Sequence, residues 1–358
     1  MKATSRHYAN GEDHLLIIRF SAMGDVAMLA PVTNILTRKY PNLQITIVTR
    51  GFFSPIFDNI PRVTVYAADL KGQHKGITGL YKLSREIKGL GITAVGDMHN
   101  VLRSKMLKFF LMASGIKSRK IDKGRAEKKA LTASNNKVFR QLKTTHQRYA
   151  DVLANLGYPI DLSKPGKLPK HDLSANVLES TGHKESSWIG LAPFAAHIAK
   201  AYPIHLVAEV LKQLSQQAQT KTFLFGGGQE ETRQLESLAS PYENVFSLAG
   251  KLKFEEELQV ISNLDVMVSM DSGNAHLAAM YGVKVLTLWG ITHPYAGFGA
   301  YNQPAHHHLL PDLVKFPDIP TSVYGNKFPA GYENAIATIS PEMVIEKINT
   351  MLPENKNG

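Results

Sequence analysis

From residue 14 to residue 351, short apolar runs alternate with amphipathic stretches. The run at 14–20 (H-L-L-I-I-R-F) leads through S-A-M-G-D into an apolar-periodic stretch over 26–39. That order predicts strand, glycine-containing turn and helix. Further strands are expected at 44–49, 63–66 and 94–98, with a helix over 77–90. Residues 117–145 are polar and weakly periodic, which suits either a surface helix or a loop, and 146–156 reads as a helix. Three prolines within 159–171 suggest an extended connection. The rhythm then repeats, with strands expected at 188–192, 222–225, 245–248, 266–269 and 285–289. Helices are expected at 204–216, 230–239, 254–263, 275–281 and 341–351, and a long Pro- and Gly-rich segment over 294–331. Strands alternating with helices imply βαβ units and parallel sheets. The expected fold is α/β, with two Rossmann-like doubly wound domains and a ligand cleft between them. The expected boundaries are a first domain over 1–172 and a second over 173–340. A closing helix and tail over 341–358 is expected to pack back on the first domain.

Composition narrows the class. At 358 residues, 44% hydrophobic and 20% charged, the chain can bury substantial cores and is too apolar for disorder. It has no cysteine, which removes disulfides and thiolate metal sites. Neither a signal-peptide core near the start nor an apolar run of membrane-spanning length is visible, so a soluble cytoplasmic protein is expected. The net charge of +11 is unevenly spread. Residues 1–180 hold 29 Lys and Arg against 13 Asp and Glu, whereas 181–358 hold 12 against 17. Between 103 and 148 there are 14 basic residues and two acidic ones. An anionic partner for the first half is one reading and a solvated basic face is the other. No nucleic-acid module or aromatic interleaving accompanies the charge, so nucleic acid is not an expected partner.

Several segments could carry chemistry. Gly24 and Asp25 follow the first strand, where a carboxylate lies at the sheet's carboxyl edge; capping of the next helix is the ordinary alternative. The run V-S-M-D-S-G-N-A-H (268–276) ends a strand and opens a helix. Asp271, Ser272 and Gly273 there form a turn whose free N–H groups suit a phosphate, with His276 in the first helical turn. A capped helix with a buried histidine is the alternative. Lys200 stands in an otherwise uncharged turn after the first strand of the second half, able to neutralise a diphosphate or simply to be a surface lysine. Gly226, Gly227 and Gly228 would let a nucleotide pack on bare backbone, with Glu230 accepting from ribose hydroxyls. His306, His307 and His308 lack the spacing of a helical metal site.

Taken together, R-F-S-A-M-G-D-V-A-M (19–28), A-K-A-Y-P (199–203), D-S-G-N-A-H-L-A-A (271–279) and L-W-G-I-T-H-P (288–294) resemble blocks of glycosyltransferase family 9, the lipopolysaccharide heptosyltransferases. The likeness runs from about 14 to 351. It implies a GT-B fold and inverting, metal-independent transfer of heptose from an ADP-linked donor, which is a substrate and not a cofactor, onto the lipopolysaccharide inner core. By that resemblance Asp25 is the general base and Lys200 binds the donor phosphates. Ser272 and Gly273 offer backbone to the phosphates with His276 nearby, Asp271 meets donor-sugar hydroxyls, Glu230 the ribose, and Leu252 the adenine neighbourhood. Gly24, His99, Asn100 and Arg103 are expected on the acceptor side, Arg103 meeting an acceptor anion. The acceptor would be an anionic lipid-linked glycan, met at the inner membrane face through the basic first domain. Departures are Ala195 and Ala196 where hydroxyl residues are frequent, Tyr202 for a frequent Trp, Asn274, and the long 302–331 segment. The rival is a non-catalytic nucleotide-sugar-binding or membrane-scaffold protein on the same fold.

Overall fold

A computed structural model describes residues 13–113 and 115–353. Most of the leading segment read above for a targeting signal (1–12) and the end of the tail (354–358) lie outside the described residues. The chain divides into two compact units, one of 1–123 and 145–168, the other of 124–144 and 169–358.

The first unit is built on five parallel strands: β1 (His14–Ile18), β2 (Gln44–Thr49), β3 (Val63–Ala67), β4 (Ala94–Asp97) and β5 (Lys117–Lys120). They lie in the order β3-β2-β1-β4-β5. Leu15 to Ile18 are wholly buried because helices cover both faces, as parallel sheets require. The helix expected over 26–39 is instead two, α1 (Met23–Ala27) and α2 (Leu29–Lys39). Pro31 has no N–H to offer the carbonyl of Ala27, so the ladder breaks at Met28. On one face α3 (Gly76–Lys88) buries Leu80, Leu83 and Ile87, and α4 (Leu102–Met112) buries Leu107 and Leu111, all in one core with Leu16, Ile18 and Val95. The chain then leaves through α5 (Arg125–Leu131) and returns at α6 (Thr145–Leu156).

The second unit opens with α7 (Ala175–Thr181). Its strands are β6 (Ser187–Ala192), β7 (Thr220–Leu224), β8 (Val245–Ser247), β9 (Val266–Met270), β10 (Lys284–Leu288) and β11 (His308–Leu309), ordered β11-β10-β9-β6-β7-β8 and all parallel. Between them run α8 (Ile204–Ser215), α9 (Gln229–Ala239), α10 (Phe254–Asn263) and α11 (Gly273–Met280), and α12 (Pro341–Met351) closes the chain. The short β11 inside the histidine triplet was not legible as a strand.

Two expectations are corrected. The closing helix is part of the second unit. Val344, Ile348 and Met351 of α12 sit in the second core with Val207, Met270 and Leu286, and the Lys284 ammonium donates to the carbonyl of Met351 at 2.6 Å. Residues 124–144, assigned above to the first domain, are part of the second unit. Leu131 and Leu142 pack on Ala296, and the N–H of Leu142 donates to the carbonyl of Tyr295 at 2.9 Å. The Lys128 ammonium lies 3.8 Å from the centroid of the Phe298 ring, and Lys137 donates to the carbonyls of Asp318 and Pro320. The most basic stretch of the chain is therefore partly spent on internal contacts.

Candidate active site

In an open α/β sheet, ligands bind beyond the carboxyl ends of the strands where the strand order reverses. In the first sheet that point lies between β1 and β4, whose last residues, Ile18 and Asp97, are register partners. Asp25 follows β1 there. It is the third residue of α1 and does not cap it: Ala22 holds the cap position and no side chain bonds there. Gly24 likewise lies within the helix and not in a turn. The Asp25 carboxylate pairs through Oδ2 with the Arg19 guanidinium, while Oδ1 has no partner among the described residues and the side chain is 28% exposed. Arg19 is itself buried, and its Nη1 donates to the carbonyl of Met98 at 2.7 Å. The Tyr149 hydroxyl of α6 donates to the Asp25 carbonyl at 3.0 Å, fixing the backbone beneath the carboxylate. Burial pushes the Tyr149 phenol well above its usual range, so it remains a donor.

The residues after β4 separate by role. Asp97 is fully buried; Oδ1 accepts from the N–H groups of His99 (3.0 Å) and Asn100 (2.7 Å), and Oδ2 from the Ser104 hydroxyl (3.1 Å). It shapes the loop. His99 Nδ1 accepts from the N–H of Phe20 at 3.4 Å. Burial, with Arg19 and Lys123 nearby, pushes its pKa down to about 3, so the ring is neutral. Asn100 takes a left-handed conformation (φ 47°) and donates its amide to the carbonyl of Ile121 at 2.9 Å, an internal contact. Arg103 is exposed in the first turn of α4 with no partner among the described residues.

The second sheet reverses between β6 and β9, where Ala192 and Ser269 are register partners. The loop after β6 brings Lys200 and the loop after β9 brings Asp271, and the two meet at 2.8 Å with side chains 11% and 8% exposed. Asp271 Oδ2 also accepts from the Thr292 hydroxyl at 2.9 Å. Ser272 is the cap residue of α11 but does not cap it; its hydroxyl instead meets that of Ser269 at 3.0 Å. The first N–H groups of α11, from Gly273 onward, thus carry no side-chain cap beside a desolvated lysine. His276 lies in that first turn and is buried.

Gly290 explains how the lysine reaches this place. A Cβ there would stand 2.0 Å from the carbonyl oxygen of Ala199, so only glycine lets the two loops touch. Gly325, in the long 302–331 segment, lies against the aliphatic stem of Lys200, where a Cβ would be 2.3 Å from Cδ. That segment is packed, with Phe316 and Ile319 in one cluster with Ala199 and Ile291.

Glu230 does not join this group. It is exposed and accepts from Arg233 (2.8 Å) and Gln234 (2.7 Å) of its own helix, while Glu231 accepts from the N–H of Gly227 at 2.8 Å. Leu252 is half-buried in the turn before α10. His307 bonds Gln303 at 3.0 Å, and His308 accepts from the Trp289 indole at 3.2 Å, so two of the three adjacent imidazoles serve separate internal contacts. Arg19, Tyr149 and Thr292 were missed as site residues. Arg19 and Thr292 lie inside the quoted motif blocks, so the signal was present; Tyr149 looks like any core aromatic.

Comparison with known proteins follows the same lines. The profile of "Glycosyltransferase family 9 (heptosyltransferase)" matches residues 80–320. A lipooligosaccharide heptosyltransferase 2 of Haemophilus influenzae is 25% identical over 95% of this chain and 99% of its own length. A lipopolysaccharide heptosyltransferase 2 of Escherichia coli is 23% identical over 94% and 98%. Among solved structures, a family 9 glycosyltransferase from Veillonella parvula superposes with a TM-score of 0.73 at 19% identity, covering 95% of this chain and 97% of that one. E. coli ADP-heptose lipopolysaccharide heptosyltransferase II gives 0.65 at 18% identity over 94% and 98%. These likenesses show the GT-B fold. Two parallel-sheet units, each carrying its candidate residues at the strand-order reversal, and a family match across two thirds of the sequence agree: the chain belongs to glycosyltransferase family 9 and is a glycosyltransferase.

Proposed function

We propose that the enzyme transfers a heptose from an ADP-linked donor to a hydroxyl of a lipopolysaccharide inner-core glycan, with inversion and without a metal. The observation that carries this is the buried Lys200–Asp271 pair beside the uncapped start of α11. A desolvated ammonium and a row of helix N–H groups together form a seat for a diphosphate. In the reaction, the acceptor hydroxyl gives its proton to Asp25 Oδ1 as its oxygen bonds the anomeric carbon. The bond from that carbon to the diphosphate oxygen breaks, and the leaving nucleoside diphosphate takes the electron pair. Lys200, the Ser272–Gly273 backbone and His276 would meet its growing charge, supplying what a divalent cation would otherwise supply. Asp271, oriented by Thr292 and Lys200, would accept from the donor sugar's hydroxyls. Arg103 would meet a phosphate or carboxylate of the acceptor, with Gly24 and the His99–Asn100 backbone lining its approach. The positions of Glu230 and Leu252 support no closer assignment than the nucleoside side of the donor. The heptose and the adenine nucleotide come from the names of the relatives; the anionic acceptor also fits the basic first unit.

Asp25→Asn is expected to lower kcat about 10²- to 10⁴-fold while leaving donor binding intact. Single-turnover assays with ADP-heptose and a lipopolysaccharide-core acceptor, run with and without EDTA, check this. Unchanged turnover would remove Asp25 as base, and loss of activity with EDTA would overturn the metal-free route. Thermal shifts with ADP-, UDP-, GDP- and CDP-sugars identify the nucleotide, because only a ligand of the folded state raises the Tm.

A further inference from the structure

The strongest unassigned feature is the outer face of the α3–α4 layer. Seven of the eleven residues of α4 (L-R-S-K-M-L-K-F-F-L-M) are apolar, yet only Leu107 and Leu111 among them are buried. Leu102 is 74% exposed, Phe109 68% and Met112 48%; beside them on α3, Ile77 and Tyr81 are 64% and 51% exposed. The Tyr81 ring meets Phe110 edge-on at 5.5 Å, joining the two helices into one apolar stripe. Leu102 and Phe109 lie two turns apart on α4, so the stripe runs about 10 Å along it.

Its surroundings are positive. α4 carries Arg103, Lys105 and Lys108 and no acidic residue. α3 carries Lys82, Arg85 and Lys88; its one acid, Glu86, accepts from Tyr66 (2.6 Å) and His74 (2.9 Å) and pairs with Lys82 at 3.9 Å. Exposed aromatic and aliphatic side chains flanked by Arg103, Lys105 and Lys108, on a helix with no acidic residue, match a surface that is apolar just below a layer of negative charge. A second copy of the same face would set like charges opposite one another across a two-fold interface.

We propose that the α3–α4 face docks the enzyme on an anionic lipid bilayer, with Leu102, Phe109 and Met112 entering the interface and Lys105 and Lys108 meeting headgroup phosphates. Its purpose rests on the reading of the acceptor as a lipid-linked glycan, but the docking needs neither donor nor acceptor. α4 follows β4 directly, so Leu102 and Arg103 stand at the same carboxyl edge of the first sheet as Asp25.

Sedimentation of the full chain with phosphatidylglycerol-containing vesicles, against phosphatidylcholine vesicles, tests the proposal. The wild type should bind the anionic vesicles, less so as salt rises, and bind phosphatidylcholine weakly. F109S/M112S and K105E/K108E should each weaken binding by about tenfold or more, with unchanged circular dichroism, Tm and thermal response to ADP-sugars. Failure of the wild type to bind, or full binding by both variants, would overturn it. A concentration-dependent dimer that F109S/M112S abolishes, with vesicle binding untouched, would make the face a protein interface instead. If no nucleotide sugar shifts the Tm while vesicle binding behaves as expected, the donor reading fails and the docking surface stands.

Discussion

Thr292 and Gly290 belong to one short motif and act on the same lysine–aspartate pair by different means. Thr292 holds Asp271 through a hydroxyl; Gly290 withholds a side chain so that the Ala199–Lys200 backbone can press against it. Replacing Gly290 with alanine forces the two loops apart. We expect a stability loss of about 1–3 kcal/mol. With Lys200 displaced, kcat/KM should fall about ten- to a hundredfold. Calorimetry and steady-state kinetics at varied donor check it; native kinetics with a lowered Tm would mean that the contact serves folding alone. Residue types at strand ends were readable in advance because strand, turn and helix follow local pattern. Their partners were not. Arg19 reaches Asp25 within one loop, but its second anchor, Met98, is 79 residues away. The capping alternative for Asp25 gives way to an ion pair with Arg19, which is itself anchored on Met98 just after the neighbouring β4.

At the scale of elements, strands buried on both faces announce themselves as apolar runs, and their bounds agree with expectation within a residue or two. β5 (K-S-R-K) does not: an edge strand is defined by its ladder to β4, and none of its side chains is apolar. β11 fails for the same reason. α10 was placed to the residue, yet its pattern conceals one cost. Glu257 sits in its first turn, where burial pushes the carboxyl up from its ordinary 4.5 to about 7. The unfolded chain therefore releases this proton at lower pH than the folded one does. Its contribution favours folding below about pH 4.5 and is lost as pH rises toward 7. Glu257→Gln should accordingly leave the Tm near wild type at pH 4.5 and raise it by a few degrees at pH 8. A pH series of thermal melts on both proteins tests this, and an equal offset at every pH would rule out the titration.

The molecule as a whole distributes its charge differently from its halves. The first unit (1–123 and 145–168) holds 22 Lys and Arg against 10 Asp and Glu; the second holds 19 against 20. The difference from a simple cut arises because 124–144 is covalently between parts of the first unit but packs in the second. Leu131 is fully buried there, so Leu131→Ala should cost about 2–5 kcal/mol. The strap should also become open to proteolysis at 132–141. Resistance equal to wild type would show that Leu131 does not hold it. Local order along the chain sufficed to specify two doubly wound sheets, the order of their elements and the loops at which chemistry sits, because hydrophobic periodicity and turn residues act over a few positions. Which unit received the basic strap, where the closing helix docked, which of seven acidic and basic candidates became paired, and which apolar helix face was left uncovered were settled only by packing. Each depends on the burial of surfaces contributed by segments tens to hundreds of residues apart.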